Sequence, residues 1–175
     1  MRFKLPFDKR LVRMAEGVIT TKVGCVIHYH DERIHRTDGP AIEWADGSTH
    51  WYLKGKLHRL DGPACEWSDG SKFWYVNDIH HRLDGPATEW ANGGRSWYVK
   101  GVLHRLDGPA RVWSNGITEW YFEGLLHRED GPAIEWADGR KDWWIQGTKV
   151  DISLIDYDGS RPLTDEEITY LLLCA

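Results

Sequence analysis

Apolar and polar positions alternate along this chain in short runs, and the runs stop at turn residues with a fixed beat. From Ala41 the sequence reads AIEWADGSTHWYLKG, two β-rich stretches around Asp46-Gly47. The same layout returns from Ala64, Ala87, Ala110 and Ala133, each 23 residues after the last. Period-two alternation of Trp, Tyr, Val and Ile predicts strands. An Asp-Gly or Asn-Gly pair between two such strands predicts a hairpin turn. These pairs are Asp46-Gly47, Asp69-Gly70, Asn92-Gly93, Asn115-Gly116 and Asp138-Gly139. Each unit then turns again through Asp-Gly-Pro, whose proline lacks a ladder donor and suits a strand start.

The full word is H-R-x-D-G-P-A-x-E-W-x-(D/N)-G-x-x-x-W-(Y/W)-x-x-G, begun by His35, His58, His81, His104 and His127. Its second turn is Asp38-Gly39-Pro40, Asp61-Gly62-Pro63, Asp84-Gly85-Pro86, Asp107-Gly108-Pro109 and Asp130-Gly131-Pro132. These residues and the tryptophans read as scaffold. A two-residue loop at Asp46-Gly47 would set Trp44 opposite Thr49 and Ile42 opposite Trp51. One face would then carry a double row of Trp44 and Trp51, Trp67 and Trp74, Trp90 and Trp97, Trp113 and Trp120, and Trp136 and Trp143. The opposite face would carry Tyr52, Tyr75, Tyr98, Tyr121 and Trp144 beside Glu43, Glu66, Glu89 and Glu135. Val112 breaks the glutamate row.

The beat fades at both ends, as an open array must protect its terminal units. Residues 1–17 read as an N-terminal segment with a short helix, N-capped by Asp8 and running through Met14. Residues 18–34 read as a degenerate capping hairpin, 35–149 as five tandem units, and 150–175 as a C-terminal cap. There Thr164-Asp-Glu-Glu167 is a capping box opening a helix with Ile168, Leu171 and Leu172 on one face. The expected fold class is an all-β repeat: a solenoid-like, elongated, twisted antiparallel sheet of tandem β-hairpins, with a short N-terminal helix and a C-terminal capping helix.

Composition narrows the function. The net charge of −5 argues against DNA binding and against a membrane surface. No apolar run approaches a membrane span, and MRFKLPFDKRLVRMAEG lacks the apolar core of a secretory signal. Cys25, Cys65 and Cys174 form an odd, sparse set without metal spacing, which reads as free thiols in a reducing compartment. A cytoplasmic location is expected.

Stacked units would align Arg36, Arg59, Arg82, Arg105 and Arg128. That ladder reads either as partner for the word's own aspartates or as an edge for phosphates and acidic groups. The tyrosine and glutamate rows suit a basic protein partner or a flat ligand. His28-x-His30-Asp31 is a weak metal signal, and no metal or other cofactor is expected. No nucleophile elbow, P-loop or metalloprotease motif occurs, so no catalytic residue is named and no enzyme is expected.

The words WYLKGKLHRLDGP, WYVKGVLHRLDGP and WYFEGLLHREDGP resemble MORN repeats, and more closely the variant MORN-like repeats of bacterial antitoxin-like and phage proteins. The resemblance covers residues 35–147 well and 18–34 weakly. It departs where Arg follows the histidine and where Asp78 replaces the turn glycine. It implies a long twisted sheet, contact with proteins or lipid headgroups, and self-association. A phage-encoded protein would act in the host cytoplasm, and a bacterial one in its own. The function expected is a non-enzymatic binding module that engages a protein partner through its aromatic sheet surface and inhibits or neutralises it. The alternative is a nucleotide or small-anion binder using the Arg and His ladders. A homodimer is a further expectation.

Overall fold

A computed structural model describes residues 16–175. The helix expected over 8–14 lies outside the described residues. The chain enters through β1 (Glu16–Thr20), which pairs with β2 (Val26–His30). β2 also pairs with β3 (Arg33–Ile34) and with β4 (Ile42–Glu43). From β4 onward the repeats extend one antiparallel sheet, of 14 strands among the described residues. Beside it, among the same residues, four two-stranded hairpins form a second column.

One unit shows how the sequence builds both columns. β4 pairs with β5 (Thr49–His50), placing Ile42 opposite His50 and Glu43 opposite Thr49. β5 then pairs with Cys65–Glu66 of the next unit. Past Trp51 the same chain stretch becomes β6 (Tyr52–Leu53), which hairpins onto β7 (Lys56–Leu57). Units are stitched across the second column as well: the Asp78 amide donates to the Leu57 carbonyl and the Gly101 amide to the His80 carbonyl, each at 2.9 Å.

This register differs from the expected one by a single residue. The loop of the main hairpin is Ala45-Asp46-Gly47, three residues, with the Trp44 amide donating to the Ser48 carbonyl and the Gly47 amide to the Trp44 carbonyl. Only Gly47 has positive φ, at 88°, while Asp46 turns its carboxylate onto the Ser48 amide at 2.9 Å. That is the three-residue hairpin ending in a left-handed glycine. The two-residue turns lie in the second column, at Lys54-Gly55 with φ of 52° and 80°. A slip of one residue exchanges faces. Trp44 and Trp51 therefore lie on opposite faces, and the double row of tryptophans does not form. Tyr52 and Glu43 are likewise separated.

Two apolar clusters close the array. Cys25, Ile27, Tyr29 and Ile42 pack together at the first end. Ile145, Val150, Leu163 and Leu171 pack at the other, with Ile168 and Leu172 against them. The last cluster is completed by α1 (Asp165–Leu173), whose capping box is formed: the Glu167 amide donates to Thr164 Oγ1, and the Thr164 amide to Glu167 Oε2. Among the described residues, no helix is long and apolar enough to cross a membrane.

Candidate functional site

The two sheet faces have different chemistry. The arginine face carries Glu43, Thr49 and Trp51 and their equivalents. In the second unit the Arg59 guanidinium lies 4.0 Å over the Trp51 ring. Its Nε donates to Asp61 at 2.9 Å, and its Nη1 to the Pro63 carbonyl at 3.3 Å and Glu66 at 3.4 Å. Arg82 repeats the clamp on Trp74, Asp84, Pro86 and Glu89, as Arg128 does on Trp120, Asp130, Pro132 and Glu135. Arg105 sits on Trp97 and bonds Asp107 and Pro109, with Val112 at the glutamate position. Arg36 bonds Asp38, Pro40 and Glu43, and there His28 Nε2, 3.1 Å away, stands where other units have tryptophan.

Glycine in Asp-Gly-Pro has a steric cause. A Cβ on Gly62 would lie 2.9 Å from Arg59 Cζ, and the same crowding recurs at Gly39, Gly85, Gly108 and Gly131. In the four later units the guanidinium is held between an indole and a bare backbone, and in the first His28 takes the place of the indole. The bond from arginine holds the carboxyls of Asp38, Asp61, Asp84 and Asp107 below the usual carboxylate range. The histidine of the word braces its own unit: Nδ1 of His35, His81, His104 and His127 accepts from the backbone amides of the left-handed turn residues Lys54, Lys100, Glu123 and Gln146.

The aromatic face carries Ile42, His50, Tyr52 and Trp44 and their equivalents. Rings interlock along it. His50 meets Trp67 edge-on at 5.2 Å, Phe73 meets Trp90 at 6.3 Å, and His80 lies 4.0 Å from Tyr75 and 5.0 Å from Tyr98. Burial pulls the imidazoles of His50 and His80 down to about 4 and pushes the phenols of Tyr52 and Tyr75 up to about 12. These groups are neutral at physiological pH.

This face also holds two of the positions at which the units differ. Ile42, Cys65, Thr88, Arg111 and Ile134 occupy one equivalent position, and His50, Phe73, Ser96, Glu119 and Asp142 its cross-strand partner. In the fourth unit Arg111 pairs with Glu119 at 3.4 Å and lies 5.1 Å from the Trp113 ring, while Trp113 Nε1 donates to Glu119 at 2.9 Å. These two variable positions share one side of the sheet with the tyrosines, and Ile42, His50, Cys65, Thr88, Ser96 and Ile134 there are buried. A further variable position, Thr49, Lys72, Arg95, Thr118 and Lys141, lies on the arginine face. The glutamates expected beside the tyrosines are on that face too.

Among the described residues, no group of three His, Cys, Asp or Glu side chains is placed to hold a metal ion. Compared with protein-family models and with curated proteins, the chain matches none.

Proposed function

We propose that this protein is a non-enzymatic recognition module that binds a protein partner through the aromatic face of its sheet. The supporting observation is a pair of tryptophans left half-wet on that face. The repeated Arg, Asp, Gly and Pro are engaged in internal clamps on the other face. On the aromatic face Trp90 and Trp113 remain 37% and 43% exposed, while Ile42, His50, Cys65, Thr88 and Ser96 are buried. Large, half-wet aromatic rings are the usual anchors of protein interfaces.

The arginines that a nucleotide would need are already bonded to carboxylates, which favours the protein reading. The likeness to MORN-like antitoxin and phage repeats agrees with it, and blocking the partner's activity is the mode we assign. Cross-linking mass spectrometry in native host cells tests the proposal. A stoichiometric protein cross-linked beside Trp90 and Trp113, and lost in a Trp90→Ala, Trp113→Ala variant, is expected. No such protein, together with a thermal midpoint that rises with nucleotides, would overturn it.

A further inference from the structure

An apolar band borders the arginine clamps: the groove that holds Leu106 and Leu125 is also lined by Arg105, Asp107, Trp120 and Arg128. The variable letter of H-R-x-D-G-P is Thr37, Leu60, Leu83, Leu106 and Glu129 in chain order. The three leucines are 79%, 80% and 80% exposed, far more than an apolar side chain needs to be on a well-packed sheet. The first strand position after the second-column turn is Lys56, Ile79, Val102, Leu125 and Thr148. Its apolar members are 48%, 43% and 51% exposed. Leu106 and Leu125 line one open groove of about 1070 Å³ with Phe122 and Pro162. Both rows are apolar in the three central units and polar at either end.

We infer that a second copy of the chain docks antiparallel on this apolar band. The pattern is self-complementary. A two-fold axis at the level of Leu83 and Val102 sets each against its own copy, Leu60 against Leu106, and Ile79 against Leu125. The first unit of one copy then faces the fifth unit of the other. That brings Lys56 to the level of Glu129 of the second copy, one row across, within reach of a lysine stem. Such an isologous contact closes on itself and forms two equivalent ion pairs. Among the described residues no carboxylate pairs with Lys56, and the Glu129 carboxylate pairs with His127 alone, at 3.5 Å.

Size is consistent with a stable contact. Three units of two strands each span about 29 Å at 4.8 Å per strand. A standard interface buries about 800 Å² per partner, a patch roughly 28 Å across. The aromatic face stays open in this dimer, so the inference goes beyond the proposed partner binding and stands apart from it.

Sedimentation equilibrium of the full chain over a wide concentration range tests the dimer. The expected mass is twice the 20.3 kDa of one chain. Leu83→Asp should give monomer with an unchanged circular dichroism spectrum, while Val23→Asp, 70% exposed in the turn between β1 and β2, should leave the dimer intact. Lys56→Glu and Glu129→Lys should each weaken dimerisation about fivefold, and the double charge exchange should return it to near the original value. A monomeric wild-type chain would overturn the inference, as would a dimer unaffected by Leu83→Asp or single charge reversals that the double exchange does not rescue. The monomeric Leu83→Asp variant should still cross-link its partner at Trp113, so the two proposals fail separately.

Discussion

Arg59 lies with its Cζ 4.0 Å from the centroid of the Trp51 ring. One side chain from the loop of the second unit thus pins an aromatic residue of the first, and the same pairing recurs through Arg82, Arg105 and Arg128. The clamp is what fastens consecutive units on the arginine face. Replacing Arg59 by Ala removes the ring contact and the fork to Asp61, Pro63 and Glu66, and should cost about 2 kcal/mol. Lysine keeps the charge but cannot form the planar fork, so Arg59→Lys should cost at least half as much. Urea midpoints measure both. Equal stability of the alanine variant and the parent would show that the clamp is incidental.

Gly62 should behave as part of the same clamp. A new Cβ would sit 2.9 Å from Arg59 Cζ, so the guanidinium must leave the ring or the loop must move. Gly62→Ala should cost about 1–3 kcal/mol. In an Arg59→Ala background the collision is gone, and the cost should fall to a few tenths. A double-mutant cycle on denaturation free energies checks this. Additive losses would place the role of Gly62 in its backbone instead.

Much of the fold was legible because the repeat word writes its turns in full. Asp-Gly-Pro, the left-handed Gly47 and the Thr164 capping box all read correctly from local chemistry. The register did not. Asp46-Gly47 fits either a two-residue turn or the last two residues of a three-residue loop, and nothing local decides between them. The Asp46 carboxylate bonded to the Ser48 amide is compatible with the longer loop, and strand pairing with the next unit selects it. Every face assignment inherited that one-residue choice. The Arg ladder was legible as a ladder, but its ring partner lay eight residues upstream in another unit, which spacing alone does not reveal.

Acid should loosen the aromatic face. His50 is 4% exposed, and burial holds its imidazole neutral down to about 4, against 6.5 when unfolded. The unfolded chain therefore binds the extra proton first, and stability falls as pH drops from about 7 toward 4. The full shift corresponds to about 3 kcal/mol as an upper bound. The second unit carries Phe73 at this position, so His50→Phe should be accommodated and should lessen the pH dependence, with His80, held down in the same way, supplying what remains. Thermal midpoints from pH 7 to pH 4.5 supply the comparison. Parallel curves for variant and parent would mean another group governs the acid transition.

The capping box offers a local test at the far end. Thr164 Oγ1 accepts the Glu167 amide, and α1 completes the cluster of Ile145, Val150, Leu163 and Leu171. Thr164→Ala should cost about 1 kcal/mol. Amide exchange should quicken in α1 and over 141–150 while the first units stay protected, because each unit contacts only its neighbours. Uniform loss of protection along the chain would contradict that nearest-neighbour picture.

Asp78 closes its second-column hairpin with a φ of 68°, where the hairpins at Gly55, Gly101, Gly124 and Gly147 use glycine. Left-handed backbone costs a non-glycine residue about 1–2 kcal/mol, and Asp tolerates it better than most through local hydrogen bonding. Its carboxylate offsets part of that cost by accepting the Leu57 amide at 2.7 Å. The two effects are of similar size and opposite sign. Asp78→Gly removes both and should leave the thermal midpoint nearly unchanged. Asp78→Ala keeps the strain and loses the bond, and should cost about 1–2 kcal/mol. If alanine proves as stable as glycine here, backbone strain at this turn is not what glycine relieves in the other units.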